Sequence, residues 1–318
     1  PSGTVGNPIT IAKYLSEEVT IQPTHDLALG LRVINFNTAD YITLDGLILD
    51  AVNMDYDVVQ IESGSTNIII QNSTLKNADG NNCIGLWGNI GQILNNTIQT
   101  CGSSSLHHGI YTSADDGIIE GNTISGVAGY AVQIHSESRT PVSNIIRRNT
   151  YHSVGLQNPG LGACVIVNVG TGHRVENNVC YGGPGGAPRG MVAYGVGTFY
   201  NNTIYGTTGV GMDFYSQGNT INNNIISSTG GSAIKFNAGS NNNTAQYNLT
   251  HNPTTITNLG SGNTISLNVT GNPLHTDPAT FDFALQNGSP AIDAGADLSA
   301  TFTVDRVNFT RPDGVAFD

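Results

Sequence analysis

Histidine and tyrosine side chains are concentrated in the stretch from residue 107 to residue 139. His135 lies five residues after Tyr130, and His108 and Tyr111 precede this pair. Histidine takes up and releases protons near neutral pH, and a tyrosine hydroxyl can donate a proton. These residue types indicate acid–base chemistry, with His135 as the candidate base and Tyr130 or Tyr111 as the candidate acid. A single surface histidine is more often only solvated, so it is the clustering that favours a catalytic role.

An internal repeat determines which elements carry these residues. The phrase Gln92-Ile93-Leu94-Asn95-Asn96-Thr97-Ile98 recurs along the chain, and its aligned asparagines are 26, 27, 29 and 24 residues apart. Those asparagines are Asn96, Asn122, Asn149, Asn178 and Asn202. Each unit contains two or three short strands joined by Gly, Asn and Ser turns. Strands this short cannot bury a face alone, so the units must stack as coils of a solenoid.

A second phrase, such as Val132-Gln133-Ile134, follows each first one and predicts two columns of outward side chains. Neighbouring coils would place the members of a column about 4.8 Å apart. The first predicted column is Gln60, Gly85, Tyr111, Gln133, Ile166, Ala193, Asp213 and Lys235. The second predicted column is Glu62, Trp87, Ser113, His135, Asn168, Gly195, Tyr215 and Asn237. The histidine cluster and the only Trp therefore fall on coils three to five of one face.

The repeat also explains why asparagine is abundant. The chain contains 37 asparagines. An asparagine at a sharp bend can adopt left-handed backbone angles and donate its side-chain amide to the next coil, which predicts an asparagine ladder. Arg147 aligns with Glu120 and Glu176 of the neighbouring coils, which predicts a ladder of alternating charge.

The composition excludes several classes of protein. Of 318 residues, 40 are Gly and only 11% are charged, and the formal charge is -12. A charge of this sign repels phosphate backbones, so nucleic acid is not an expected partner. No apolar run approaches the roughly 20 residues that span a bilayer, and the first residues are not a signal peptide. Abundant Ile, Val and Thr argue against disorder.

The four cysteines, Cys83, Cys101, Cys164 and Cys180, have no CxxC spacing, so a zinc site is not expected. Two alternatives stay open. Either disulfides form within Cys83/Cys101 or Cys164/Cys180, or free cysteines pack in the core.

The repeat resembles the right-handed parallel β-helix of the pectate-lyase-like superfamily, and so do both ends of the chain. The matching segments are Ser2-Gly3-Thr4-Val5-Gly6-Asn7-Pro8-Ile9-Thr10-Ile11, the residues 282–295, and Arg311-Pro312-Asp313-Gly314. The resemblance implies a single all-β domain of about ten coils of 21 to 30 residues. Its expected parts are an opening coil (1–36), regular coils (37–250) and a closing segment (251–318) that covers the open end. It also implies a secreted or cell-surface protein that binds a polysaccharide.

The spacing from Tyr130 to His135 resembles that of alginate carbon-5 epimerases and related lyases, in which Tyr and His handle an acidic sugar proton. The Asp-Pro that usually precedes the histidine is replaced by Gln133-Ile134. The resemblance implies that His135 removes the carbon-5 proton of a uronate, while Arg139 or His108 neutralises the carboxylate. The residues expected to contact the glycan are Trp87, Gln133, Glu137, Asp213, Tyr215 and Lys235. No cofactor is required.

Carboxylates offer a second kind of chemistry. Glycoside hydrolysis uses two carboxylates about 5 Å or 6.5 to 9.5 Å apart, and the available acids are Asp57, Glu62, Asp115, Asp116, Glu137 and Asp213. The Asp115-Asp116 turn is also a candidate Ca²⁺ site, although an acidic turn is usually only solvated.

Three functions therefore remain open. The first is a lyase or epimerase acting on a uronate-containing glycan, and the second is a glycoside hydrolase. The third is a noncatalytic adhesin or surface-structure protein whose chains self-associate end to end.

Overall fold

The chain forms a parallel β-helix in a computed structural model that describes residues 1–23, 31–52, 54–137, 139–182, 187–311, 314, 316 and 317. Three parallel sheets run along its axis, and each strand pairs with the equivalent strands of the preceding and following coils. The all-β solenoid expected from the repeat is confirmed. Pro312 and Asp313 of the closing motif lie outside the described residues.

Coils are numbered by the position of their strands in each sheet. Within the described residues, sheet 1 stacks the 11 strands Ile9–Ala12, Asp40–Asp45, Thr66–Gln71, Gln92–Leu94, Ile118–Glu120, Ile145–Arg147, His173–Glu176, Gly197–Tyr200, Thr220–Asn222, Thr244–Gln246 and Thr264–Ser266. Sheet 2 stacks the 11 strands Thr20–Ile21, Ile48–Asp50, Thr74–Ala78, Thr97–Cys101, Thr123–Val127, Thr150–Val154, Val179–Tyr181, Thr203–Tyr205, Ile225–Ser227, Leu249–His251 and Val269–Thr270. Sheet 3 stacks the 10 strands Ile34–Phe36, Val59–Ile61, Ile84–Leu86, Ile110–Thr112, Val132–Ile134, Ala163–Val167, Arg189–Ala193, Met212–Phe214, Ile234–Phe236 and Ile256–Asn258.

The core lies inside the three sheets, where inward side chains of the same kind stack from coil to coil. In sheet 3 one such row contains Val132, Val165, Met191 and Met212, all fully buried and in register. Because each coil can bury its apolar side chains only against its neighbours, the stack and the core form together.

The predicted asparagine ladder is present, but the ladder hydrogen bonds and the bend belong to two adjacent residues. Asn149 donates through Nδ2 to Asn178 Oδ1 at 3.0 Å and to the Ile119 carbonyl at 2.9 Å. Its Oδ1 accepts the Asn122 backbone N–H at 2.9 Å. The left-handed angles belong to the residue before each ladder asparagine, as at Arg148 with φ 59°. A single asparagine therefore does not both make the bend and form the ladder.

The predicted charge ladder on sheet 1 is confirmed. Arg147 Nη2 lies 2.7 Å from Glu120 Oε2, and its Nη1 lies 4.0 Å from Glu176 Oε1. The pairing places Arg147 between the two acids on successive coils.

Both cysteine pairs are disulfide-bonded, so the alternative of free thiols in the core is wrong. Cys83 is bonded to Cys101, and Cys164 is bonded to Cys180. In each pair the second cysteine lies on the sheet 2 strand of the next coil, so each disulfide connects neighbouring coils.

The regular stack continues past the predicted boundary at residue 250, because short strands still pair in parallel as far as Thr270. Beyond it, His275–Asp277 and Asp282–Leu285 form a small antiparallel sheet around the 3₁₀ turn Pro278–Thr280. Phe281 packs edge-on against Tyr181 of sheet 2, at a centroid distance of 5.0 Å. After Thr270 the chain thus packs along the side of the solenoid, against sheet 2 and, through the Thr301 carbonyl, against Arg174 of sheet 1.

Candidate active site

The register of sheet 3 confirms the predicted first column as far as coil six, where Tyr111, Gln133 and Ile166 are neighbours. The prediction is wrong at coil seven, where Val192 occupies the column instead of Ala193. The same shift of one residue places Tyr194, rather than Gly195, in the second column. Val192 points outward, yet it is only 1% exposed because it packs in a small cluster under Tyr130. An apolar residue at an outward position breaks the alternation of polar and apolar residues from which the column was predicted.

A third column lies three residues before the first and was not predicted. It contains Asp57, Asn82, His108, Tyr130, Ala163 and Arg189. Asn82 N–H donates to Asp57 Oδ1 at 3.1 Å, and His108 N–H donates to Asn82 Oδ1 at 2.8 Å. These bonds fix the side chains of coils two to four relative to one another.

Tyr111, His135 and Glu137 form one connected group on coils four and five. The Tyr111 hydroxyl donates to Glu137 Oε1 at 2.6 Å and lies 3.1 Å from His135 Nδ1. The Tyr111 and His135 rings stack with centroids 5.8 Å apart. Burial and the neighbouring Glu137 carboxylate raise the pKa of Tyr111 well above its ordinary value, so its hydroxyl stays protonated.

The hydrogen bonds of His135 define which of its nitrogens can act as a base. Nδ1 lies 2.9 Å from the carbonyl oxygen of Ser136, which can only accept a hydrogen bond. Nδ1 therefore carries the proton of the neutral ring, and Nε2 carries the lone pair. His135 is half-buried and is held in this tautomer on the open face of sheet 3.

His108 is stacked between two tyrosines, with centroid distances of 5.8 Å to Tyr111 and 5.0 Å to Tyr130. Burial, with smaller contributions from His107 and His135, lowers the pKa of His108 to about 3. Its Nδ1 accepts the Tyr130 backbone N–H at 3.0 Å, which leaves the proton on Nε2. His108 would therefore meet a carboxylate as a neutral N–H donor rather than as a cation.

Tyr130 does not touch His135, because the two lie on opposite sides of Gln133, which is 7% exposed. Instead the Tyr130 hydroxyl bonds with Asn158 and Arg189, and burial raises the pKa of Tyr130. Tyr130 and His135, which the sequence analysis treats as a pair, therefore lie on opposite sides of the Gln133 column of sheet 3.

Arg139 spans three coils and is engaged with the backbone. Its guanidinium donates to the carbonyls of Ser113, at 3.1 Å, and of Trp87, and Nε lies 3.8 Å from Asp115 Oδ2. Its predicted contact with a uronate carboxylate stays a prediction. Trp87 is half-buried, and no hydrogen-bond partner of its Nε1 is found in the described part of the chain.

The structure does not gather a metal-ligand cluster at the acidic turn. Asp115 accepts the Val142 N–H at 2.9 Å and faces Arg139, whereas Asp116 is exposed. Within the described ranges, no three His, Cys, Asp or Glu side chains are arranged to hold a metal ion. The Ca²⁺ site therefore stays a prediction.

Asp213 lies at the centre of a second group on coils seven to nine. It is 3% exposed and accepts hydrogen bonds from Asn237 Nδ2 at 2.7 Å and from the Tyr215 hydroxyl at 3.1 Å. Arg189 Nη1 lies 3.4 Å from Asp213 Oδ2. Asp213 therefore orients its neighbours, whereas Lys235 lies beside it on the next coil. Tyr194, which was missed, stacks on Tyr215 with centroids 4.4 Å apart.

Asp57 is the buried acid nearest to the histidine cluster. Burial raises its pKa to about 7, although Arg32 opposes the shift from 3.9 Å away. Its Oδ2 has no hydrogen-bond donor in the described part of the chain. A Cβ added to Gly85 would lie 3.1 Å from that oxygen. Gly85, in the predicted first column, thus allows the Asp57 carboxylate to lie closer to the strand than any larger residue would.

A family model described as "Right handed beta helix region" matches residues 108–272, which is more than half of the chain. The chain belongs to the right-handed β-helix family. This right-handed β-helix is also similar to three solved structures, each at an identity that shows the fold alone. A search of curated protein sequences finds no match.

All three structures are described as enzymes that act on polysaccharides. The first is a pectate lyase at 12% identity, with a TM-score of 0.58, covering 94% of this chain and 78% of its own. The second is a family 6 polysaccharide lyase from Pseudopedobacter saltans at 11% identity, with a TM-score of 0.56, covering 90% and 87%. The third is a periplasmic alginate epimerase at 13% identity, with a TM-score of 0.52, covering 88% and 69%.

Two further features bear on where the protein works. Its disulfides are compatible with an oxidising, extracellular compartment. Among the described residues, no helix has the length and apolar character needed to cross a bilayer.

Proposed function

We propose that this right-handed β-helix is a secreted enzyme that removes the carbon-5 proton of a uronate unit in a polysaccharide, by β-elimination or epimerisation. The observation that carries the proposal is the connected group of Tyr111, His135 and Glu137. It presents an imidazole whose Nδ1 is bonded to the Ser136 carbonyl and whose Nε2 is left for the substrate, on a face where aromatic and charged columns run side by side.

His135 Nε2 takes the carbon-5 proton in this scheme. The Ser136 carbonyl holds the Nδ1 proton, so the ring cannot change tautomer without losing that bond. The imidazolium that forms lies beside the oxygen of Tyr111, which Glu137 polarises through a 2.6 Å hydrogen bond. The negative charge of Glu137 thus favours the charged product of proton transfer.

Tyr130 supplies the proton on the other side of the sugar. In β-elimination the C5–H electrons form the C4=C5 bond, the bond to the leaving oxygen breaks, and that oxygen takes the Tyr130 proton. In epimerisation carbon 4 keeps its oxygen, and the Tyr130 proton is instead delivered to carbon 5 on the face opposite to the one from which His135 removed a proton. The bond between Arg189 and the Tyr130 hydroxyl stabilises the phenolate left behind. His108 can donate its Nε2 proton to the uronate carboxylate.

The test is a panel of alginate, pectin, chondroitin and neutral glycans, with and without Ca²⁺, followed by absorbance of unsaturated uronate for β-elimination and by loss of the H5 proton signal in D₂O for epimerisation. Wild type and the control His251→Gln, on sheet 2, are expected to act on at least one uronate glycan, and His135→Gln is not. The proposal fails if wild type gives neither unsaturated product nor loss of H5 on any glycan, or gives them no faster than His135→Gln.

The two alternatives predict different outcomes in the same assay. A hydrolase would release reducing ends without unsaturated product, but Asp213 is held by three partners and Asp57 is fully buried, which leaves few free acids for a pair. A noncatalytic adhesin would leave every glycan unchanged and would associate end to end at high concentration.

A further inference from the structure

Two large aromatic side chains are exposed together on sheet 3, two and three coils beyond His135. Tyr194 is 48% exposed and Tyr215 is 36% exposed, and they lie on the neighbouring coils seven and eight. Their rings stack nearly parallel, with 10° between the planes. Exposed large rings that are grouped rather than scattered mark binding surfaces. Aromatic rings with a polar tip suit the mixed polar and apolar surface of a sugar.

Buried hydrogen bonds to Asp213 hold Tyr215 of this surface in place. Tyr215 donates to Asp213, and Asn237 donates to the other oxygen of the same carboxylate. Arg189 reaches Asp213 from coil seven and donates to the Leu161 carbonyl at 2.5 Å and 3.2 Å. The network orients Tyr215 before a ligand arrives, which reduces the entropy lost on binding.

The charge of this surface is positive, although the protein as a whole is acidic. Asp213 and Arg189 compensate each other, and Lys235 lies beside Asp213 on the next coil. No acidic partner lies within ion-pair distance of Lys235 among the residues that the structure describes. The ammonium group is therefore available to an anion, at a place where a net charge of -12 would otherwise repel one.

We infer that Tyr194, Tyr215, Asn237 and Lys235 form a distal subsite for an anionic sugar unit of the glycan that reaches His135. The inference rests on the proposed function, because both sites lie on the same face. Lys235 is four coils beyond His135, a distance of about 19 Å. Only an oligosaccharide long enough to span these coils can occupy both sites at once, so binding should depend on chain length.

The experiment is a calorimetric titration with oligogalacturonates and oligomannuronates of two to eight units. It uses the His135→Gln background, so that no ligand is consumed. Lys235→Gln is expected to weaken binding of the longest oligomer about tenfold and to leave the shortest almost unchanged. Its binding should also depend less on salt than that of the parent, because one screened ion pair is lost. The matched control is Lys13→Gln, an exposed lysine on coil 1.

A second substitution tests the aromatic pair. Tyr194→Ala is expected to weaken binding of the longest oligomer about tenfold, with an unchanged thermal midpoint as the folding check. The inference is overturned if the parent binds no oligouronate, or if Lys235→Gln and Tyr194→Ala bind the longest one as tightly as Lys13→Gln does. It is also overturned if an uncharged oligosaccharide of equal length binds equally well.

Failure of the subsite and failure of the proposed function give different results. If wild type turns over a uronate glycan but Lys235→Gln binds the longest oligomer as tightly as the control does, the subsite is overturned and the proposed reaction is not. Binding that depends on Lys235, with no turnover by wild type, overturns the chemistry and supports the subsite.

Discussion

The hydroxyl of Tyr111 lies 3.1 Å from Nδ1 of His135, although the two residues are on different coils. This contact exists because the register of sheet 3 places Tyr111 beside Gln133, two residues before His135. Stacking of coils thus makes a short-range pair out of residues that are 24 positions apart in the chain.

The first prediction concerns the hydroxyl group that links His135 to Glu137. Tyr111→Phe keeps the stacked ring but removes the oxygen that contacts both residues. We expect kcat to fall about 10- to 100-fold with little change in KM, because hydrogen bonds to charged groups are worth roughly 1.5 to 3 kcal/mol. Steady-state kinetics on the most reactive uronate glycan measure both values. Tyr14→Phe, at a tyrosine that is 70% exposed, is the control. An unchanged kcat would remove Tyr111 from the mechanism.

Asp57 predicts a dependence of stability on pH. Its pKa is raised from 3.8 to about 7, chiefly by burial. Between those pH values the folded protein binds more protons at Asp57 than the unfolded chain does, so this residue's contribution to stability falls as pH rises towards 7. Asp57→Asn removes the effect and keeps an oxygen for the Asn82 bonds.

The thermal midpoint of Asp57→Asn should exceed that of wild type by about 5 °C at pH 8, and the difference should shrink towards pH 4. Scanning calorimetry from pH 4 to pH 8 measures it, with the exposed Asp79→Asn as the control. A difference that grows on acidification would contradict the assigned environment of Asp57.

The repeat carries most of the information about the fold, and much less about the site. Alternation in Val132-Gln133-Ile134 identifies Gln133 as outward, and the pairing confirms it. Alternation fails at Val192 because the Tyr130 ring, from another coil, covers an outward apolar side chain. The sequence therefore predicted Gly195 where Tyr194 lies, and missed half of the aromatic pair.

Contacts between turns were also beyond reach of the sequence. Arg139 donates to the carbonyls of Trp87 and Ser113, two and one coils away, and this depends on turn geometry that no local pattern specifies. The disulfides could be suggested from spacing alone, but the choice between a bond and buried thiols needed the positions of neighbouring coils.

The asparagine ladder predicts an unusually large effect for a polar substitution. Asn149→Ala would leave the Asn122 N–H and the Ile119 carbonyl buried without their partners. Each lost partner costs about 1 to 3 kcal/mol, so we expect a loss of several kcal/mol in the free energy of unfolding. Denaturant titration checks this against the exposed Asn37→Ala. Equal stability of the two variants would show that the ladder contributes little.

The disulfides should stabilise the stack by restricting the unfolded chain. The bonded cysteines are 18 residues apart in Cys83–Cys101 and 16 apart in Cys164–Cys180. Closing a loop of this length is worth about 3 kcal/mol. Replacing both members of one pair with Ala is therefore expected to lower the denaturation midpoint, and reductant should lower that of wild type but not that of a variant lacking both pairs. A reductant-insensitive wild type would contradict the assignment.

The most direct test of the account is whether His135 removes a proton from carbon 5. Proton NMR of the glycan panel in D₂O detects this in one experiment, as an olefinic signal after β-elimination or as loss of the H5 signal after exchange. Wild type and His251→Gln should give one of these changes on a uronate glycan, and His135→Gln should slow it at least 100-fold. New reducing ends with intact H5 signals, or equal rates for wild type and His135→Gln, would contradict the account.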